Sequence, residues 1–133
     1  MSLPRLRGVV LDTTDVPRLA EFYRLLLGWS YPAGLEVEGV TDWLSIVGPS
    51  GERLSFQQVE VLPPTTWPDA EVPQQLHLDL LAETRADLEE THRRALELGA
   101  VVRREQVDDP EEPLRVYTDP AGHTFCVFTH DVG

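Results

Sequence analysis

The chain repeats its own punctuation at a fixed distance. Leu27-Gly28 and Leu98-Gly99 each close a helical stretch, and Pro49-Ser50-Gly51 and Pro120-Ala121-Gly122 each precede an apolar run. Gly28 to Gly99, Pro49 to Pro120 and Gly51 to Gly122 are all separated by 71 residues. Three landmarks on one offset mark two copies of one supersecondary unit. At 133 residues the expectation is a single domain, 1–133, built from two such modules sharing a core. A ligand is then expected in the cleft between the copies.

The local signals fill in each copy. Arg7 to Asp12 is a short apolar run bounded by polar residues, the pattern of a buried strand. Asp15 offers an N-cap with Pro17 in the first turn. Val16, Leu19, Ala20, Phe22, Tyr23, Leu26 and Leu27 recur at helical spacing, and Gly28 supplies the left-handed stop. Trp29 to Val37 and Thr41 to Val47 read as a hairpin around Glu38-Gly39, and Arg53 to Val61 as the next strand. Module one is thus assigned to 6–61. Residues 62–73 carry Pro63, Pro64, Pro68 and Pro73 and read as an extended linker. Module two, 74–130, opens with a strand at Gln75 to Leu81. Thr84 and Asp87 give a capping signal. Leu88, Thr91, Ala95 and Leu98 line one helical face. Strands follow at Val101 to Val107, Leu114 to Thr118 and His123 to Thr129. Each half reads strand, helix, strand, strand, strand.

Composition excludes several functions. The net charge is −12, with no lysine, so phosphate neutralisation and nucleic-acid binding are not expected. The same charge favours cationic ligands. No apolar run reaches the length of a membrane span, and the N-terminus has no apolar signal core. The single cysteine, Cys126, forms no internal disulfide, which fits a cytoplasmic setting. Phosphate-binding glycine loops, Cys-x-x-Cys, nucleophile elbows and His-Glu-x-x-His are all absent.

Phe22-Tyr23, Leu27-Gly28-Trp29, His77 at the start of the second half and Asp119-Pro120-Ala121-Gly122 before the last strand carry a resemblance. In order and spacing the chain resembles the glyoxalase / bleomycin-resistance / extradiol-dioxygenase superfamily, the vicinal oxygen chelate proteins, from about Arg7 to Thr129. The resemblance implies an α+β fold of two βαβββ modules, whose mixed sheets form a cup with the helices outside. It also implies frequent homodimers and a divalent metal bound by the first and last strand of each module.

At those four metal positions the chain has Gly8, Ser55 or Gln57, His77 and Cys126. Glycine coordinates nothing through a side chain, and Ser55 and Gln57 are poor ligands for a hard cation. His77 and Cys126 suit zinc, but a stable site wants three protein ligands. Asp79 shares the face of His77 yet lies two residues along, about 6 to 7 Å on a strand. The expectation is therefore no metal and no cofactor, with a divalent metal as the alternative. His77 is a hydrogen-bonding pocket residue or a general base. Cys126 is a small buried apolar group or, with His77, a nucleophile pair.

Strand alternation sets Ser55 and Gln57, then Gln75, His77 and Asp79, then Thr124, Cys126 and Phe128 on polar faces. It turns Leu54, Phe56, Leu76, Leu78, Leu80, Phe125 and Val127 toward the helices. Trp43, Tyr117 and Trp67 are candidate flat walls for a ligand, or core or dimer aromatics. The expected ligand-binding set is Ser55, Gln57, His77, Cys126, Trp43, Tyr117 and Trp67, with His77 the catalytic candidate. The favoured function is metal-free small-molecule binding, with a cationic ligand suiting the charge. The alternatives are a metal- or His-dependent lyase, isomerase or dioxygenase, and a regulatory module with an unused cup.

Overall fold

The computed structural model describes residues 2–132; Met1 and Gly133 lie outside the described residues. The chain divides into two compact units, Met1–Leu62 and Pro63–Gly133. The boundary falls where the proline-rich segment begins.

The first unit contains β1 (Val9–Thr13), α1 (Val16–Leu27), β2 (Trp43–Val47) and β3 (Arg53–Gln58). The Asp15 carboxylate accepts from the Arg18 N–H, Pro17 sits in the first turn, and Gly28 closes the helix at φ 70°. A left-handed C-cap of this kind favours glycine because a Cβ would crowd the backbone. The sheet runs β1-β3-β2, with β1 parallel and β2 antiparallel to β3. Val16, Leu19, Ala20, Phe22, Tyr23 and Leu26 of α1 are buried, as are Leu11, Leu44, Ile46, Leu54 and Phe56 on one sheet face. Tyr23 stacks on Phe56 with ring centroids 6.1 Å apart.

The strand expected over Trp29 to Val37 does not form. Only Ser30 pairs, as an isolated bridge to Val47. Pro32 has no N–H to donate to a ladder, and Gly34 and Gly39 both sit at φ 79°, which bends the chain out of extended geometry. Tyr31 is drawn to α1 instead, its hydroxyl donating to Glu21 at 2.7 Å. Among the described residues the first unit therefore has three strands, with Ser30 marking the place of the fourth.

The second unit contains β4 (Leu78–Leu81), α2 (Arg85–Glu97), β5 (Val101–Gln106), β6 (Leu114–Thr118) and β7 (Thr124–Phe128). Its order is β4-β7-β6-β5, with β4 parallel to β7 and the other pairs antiparallel. Thr84 caps α2 by accepting from the Asp87 N–H at 3.0 Å. Asp119 shapes the turn before β7 by accepting from Ala121 and His123 N–H at 2.9 and 3.0 Å. A Cβ on Gly122 would stand 2.8 Å from Pro64, so glycine is required there by close approach as well as by its φ of 95°.

Leu88 and Ala95 of α2, with Tyr117, Phe125 and Val127, are buried. Leu78 and Leu80 are half-buried, whereas Leu76 precedes β4 and is exposed. The proline-rich segment is not extended. Thr66 N–H donates to the Val72 carbonyl and Val72 N–H to the Thr66 hydroxyl, which folds 66–72 back on itself.

Candidate functional site

In the first unit, register fixes which side chains share the face away from α1. Ser45 pairs with Ser55 and Trp43 with Gln57 across β2 and β3, while Val10 and Asp12 pair with Ser55 and Gln57 across β1 and β3. Ser55 is 4% exposed and its hydroxyl is hydrogen-bonded to that of Ser45 at 2.8 Å. Its polar atom already has a protein partner. Gln57 and Trp43 are exposed neighbours and remain open to a ligand. Gly8 precedes β1 where a Cβ would lie 2.6 Å from the Arg53 carbonyl oxygen. That position lacks a side chain because the backbone of β3 fills the space.

The second unit presents different chemistry at the matching places. Asp79 pairs with Cys126 on the β4–β7 ladder as Val10 pairs with Ser55 on the β1–β3 ladder. Two residues earlier, His77 matches Gly8. His77 Nε2 lies 3.2 Å from Asp79 Oδ1. One ligand atom each from His77, Asp79 and Cys126 falls within a span of 4.8 Å. The expectation that Asp79 stands too far from His77 is corrected. His77 lies just before the regular pleat of β4, which starts at Leu78, and the two side-chain ends converge despite the spacing of their Cα atoms.

Electrostatics favours the protonated thiol. Burial, with the Asp79 carboxylate that accepts from the thiol, pushes Cys126 up to about 11. A nucleophilic Cys-His pair needs the opposite, a thiolate stabilised by nearby positive charge. Beside this cluster, Thr124 is 3% exposed and its Oγ1 is buried without a hydrogen-bond partner. It shares the face of Cys126 two residues on. The β4–β7 register, carried one step back from Leu78 and Phe125, sets it beside His77.

The same face continues across the sheet. Asp79, Cys126, Val116 and Arg104 form one cross-strand row. Its ends are about 14 Å apart at the usual strand spacing. The Trp67 ring lies over the Arg104 guanidinium at 4.7 Å, a cation–π pair that fixes the indole at the far end of the row. Trp67 is half-buried, as a wall residue would be.

Tyr117 belongs to the opposite face. It pairs with Phe125, stacks on it at 5.0 Å, is fully buried, and has its hydroxyl 2.9 Å from His92 Nδ1 on α2. The expectation that Tyr117 forms a ligand wall is corrected: it is core. Arg115 is buried on this helix side, paired with Glu105 and Glu89 at 2.8 and 3.0 Å. Sequence reading missed this ion pair, which is a structural link between β6, β5 and α2.

The donor chemistry bears on the metal question. Imidazole nitrogen, carboxylate oxygen and thiolate sulfur fit a zinc-class ion, which is held by such ligands three or four at a time. The first unit offers nothing comparable at Gly8, Val10 and Ser55. A cation bound at His77, Asp79 and Cys126 would supply Lewis-acid polarisation of an adjacent oxygen.

A family model described as a glyoxalase-like domain matches residues 8–128. Among solved structures, a glyoxylase/bleomycin resistance protein/dioxygenase domain from Frankia sp. EAN1pec is 19% identical, with 99% of this chain and 96% of that one covered and a TM-score of 0.70. A fosfomycin resistance protein from Mesorhizobium loti is 14% identical over 96% and 93% of the two chains, with a TM-score of 0.69. A lactoylglutathione lyase from Agrobacterium tumefaciens is 19% identical over 96% of each, with a TM-score of 0.62. At these identities the structures share the fold. A search of curated proteins found no match. The duplicated strand-and-helix architecture and the match across nearly the whole chain agree: this protein belongs to the glyoxalase-like domain family.

Proposed function

We propose that the protein is a small-molecule binding protein of the glyoxalase/bleomycin-resistance type, and that its ligand rests on the open face of the second sheet. The observation that carries this reading is the convergence of His77, Asp79, Cys126 and the unpartnered Thr124 hydroxyl on one side of β4 and β7, away from α2. Polar groups gathered on an otherwise close-packed sheet are what orients a ligand in a pocket. Trp67, held by Arg104, adds a flat apolar surface on the same sheet face. The net charge of −12 favours a cationic ligand. The protonated thiol favours binding over covalent catalysis. A homodimer in the cytoplasm is the setting we propose. Among the described residues no helix is long and apolar enough to cross a membrane.

Calorimetry against a panel of cationic glycopeptides and hydrophobic metabolites tests this. The expected result is a saturable heat for a cationic member, weakened about tenfold or more in His77→Ala, the cost of stranding a polar ligand group. Silence across the panel, or binding unchanged in His77→Ala, contradicts it. A second reading, a metal-dependent lyase, isomerase or dioxygenase, is favoured by the three-donor cluster. Turnover that depends on added metal and is lost in Cys126→Ser would select it.

A further inference from the structure

We propose that residues 33–35 form a strap that closes onto the free edge of β2 in a second state of the protein, completing the first sheet as its fourth strand. The inference concerns the first unit alone and stands whatever the second sheet binds.

Four observations carry it. The first is register. The isolated bridge between Ser30 and Val47 is the 71-residue counterpart of the Val101–Thr118 rung that opens the β5–β6 ladder. Both of its hydrogen bonds are made, Ser30 N–H to the Val47 carbonyl at 3.1 Å and Val47 N–H to the Ser30 carbonyl at 2.8 Å. The ladder is therefore started in the register of the second repeat and then left. The second observation is Pro32. Its counterpart is Arg103, the residue β5 leaves unpaired where the register shifts between Val102 and Arg104. A bulge asks no ladder N–H of its extra residue, so proline is tolerated there. Pro32 interrupts the strand without barring it.

The third observation is the edge itself. β2 is the last strand of its sheet. Alternate residues of a strand turn their backbone groups to the same edge, so Trp43 and Ser45 present theirs where Val47 meets Ser30. Such an edge is a template for a further strand. The fourth is apolar surface. Carried over from β5 and β6, the register sets Ala33 opposite Ser45, Gly34 opposite Leu44 and Leu35 opposite Trp43. Leu35 is 65% exposed and Trp43 45% exposed. A cross-strand pair covers both, and pairs of this kind stabilise a ladder. The same register puts Tyr31 opposite Ile46, on the side of the sheet where its hydroxyl already donates to Glu21 at 2.7 Å. Tyr31 is thus the fixed end of the strap. Gly34 is the hinge: it holds the strap open at φ 79°, and glycine passes between that region and extended backbone at little cost.

The test uses the full chain with no ligand added, so a failed ligand panel leaves it untouched. In a Cys126→Ser background, Ala33→Cys with Ser45→Cys is oxidised and the cross-link read by mass spectrometry. Paired strands bring such residues within disulfide reach. Leu35→Cys with Ser45→Cys, two residues out of register, is the control. The expected result is a bond within one chain for the first pair, formed at least about tenfold faster than for the control. A second variant shifts the balance without any cross-link. Gly34 is exposed and a Cβ there meets nothing within 4 Å, so Gly34→Val leaves the fold intact. A branched side chain resists φ 79°, which favours the closed state. Hydrogen exchange at the Trp43 and Ser45 amides is expected to slow by about tenfold in Gly34→Val.

Equal cross-linking of the two pairs overturns the proposal, because it shows a loop that wanders without register. So does a bond formed only between chains, which would give the β2 edge to a second copy. Exchange at Trp43 and Ser45 unchanged in Gly34→Val overturns it as well, and it decides the matter where the cysteine variants fail to fold.

Discussion

The two repeats share their folding instructions and differ in their chemistry. Each has a capped helix, a β-strand parallel to its last strand, and a glycine turn before that last strand. Asp15 and Thr84 play the same part at the helix starts, accepting from Arg18 and Asp87 N–H. Yet the ladder position filled by Val10 and Ser55 in one repeat holds Asp79 and Cys126 in the other. Capping and core positions are constrained by backbone geometry and burial in both copies. On the faces away from the helices the two repeats carry different side chains. The first repeat carries a hydroxyl pair there, Ser45 with Ser55, and the second gathers nitrogen, oxygen and sulfur donors on one face.

The comparison breaks most visibly in the cores. Phe56 in the first repeat and Phe125 in the second are both fully buried. Phe56→Ala and Phe125→Ala are each expected to cost about 3 to 5 kcal/mol of unfolding free energy. Equal losses by urea denaturation support two equivalent cores, whereas a loss below about 1 kcal/mol in one would show that repeat to be dispensable. Next comes an attempt to restore symmetry. Gly8→His places a ligand type in the first repeat but drives its Cβ against the Arg53 carbonyl. The expected outcome is about 1 to 3 kcal/mol of destabilisation with no gain in metal affinity. A stable variant that binds Co²⁺ more tightly would show that the first repeat had room after all.

Smaller effects sharpen the picture. Asp15→Ala and Thr84→Ala are each expected to cost about 1 kcal/mol, the usual worth of an N-cap. Matching shifts in thermal midpoint would confirm that both helices start by the same device. The smallest effect concerns Glu21, whose carboxyl is held at about 2 by Arg24 and Tyr31 against an ordinary value of 4.5. Its folded value is depressed. Its contribution is therefore present above the ordinary carboxylate value and is lost as pH falls from 4.5 through about 2. The Glu21 and Arg24 side chains are 44% and 30% exposed, so solvent screening keeps the contribution below about 1 kcal/mol. Glu21→Gln should flatten the acid limb of the stability curve and, because the Glu21 carboxylate also helps raise the Tyr31 hydroxyl to about 12, change the curve again only in the alkaline range where tyrosine ionises.

The repeat, both helices and their caps were legible because Asp15, Gly28 and Thr84 are local signals that act through nearby backbone. The missing strand was not. Alternation over Trp29 to Val37 reads as extended, but Pro32, Gly34 and the Tyr31–Glu21 hydrogen bond turn the segment away. At the site, His77 and Cys126 follow from strand alternation and from the resemblance. Asp79 was undervalued because strand spacing describes Cα positions, whereas the 3.2 Å approach to His77 is made by side-chain ends. Tyr117 was misplaced for want of a register. Once β6 is aligned on β7 it opposes Phe125, already assigned to the helix side, and its orientation follows. Trp67 was read as a candidate flat wall, but its partner Arg104 lies 37 residues away and no local signal names it.

The central claim is that the working face belongs to the second repeat. Amide chemical-shift mapping of the isotope-labelled full chain during addition of a cationic ligand that gives a saturable calorimetric heat tests it directly. Perturbations centred on His77, Asp79, Thr124 and Cys126, with Gly8, Val10, Ser55 and Gln57 unmoved, are the result the account predicts. Equal perturbation of both sets, or none in either, would contradict it.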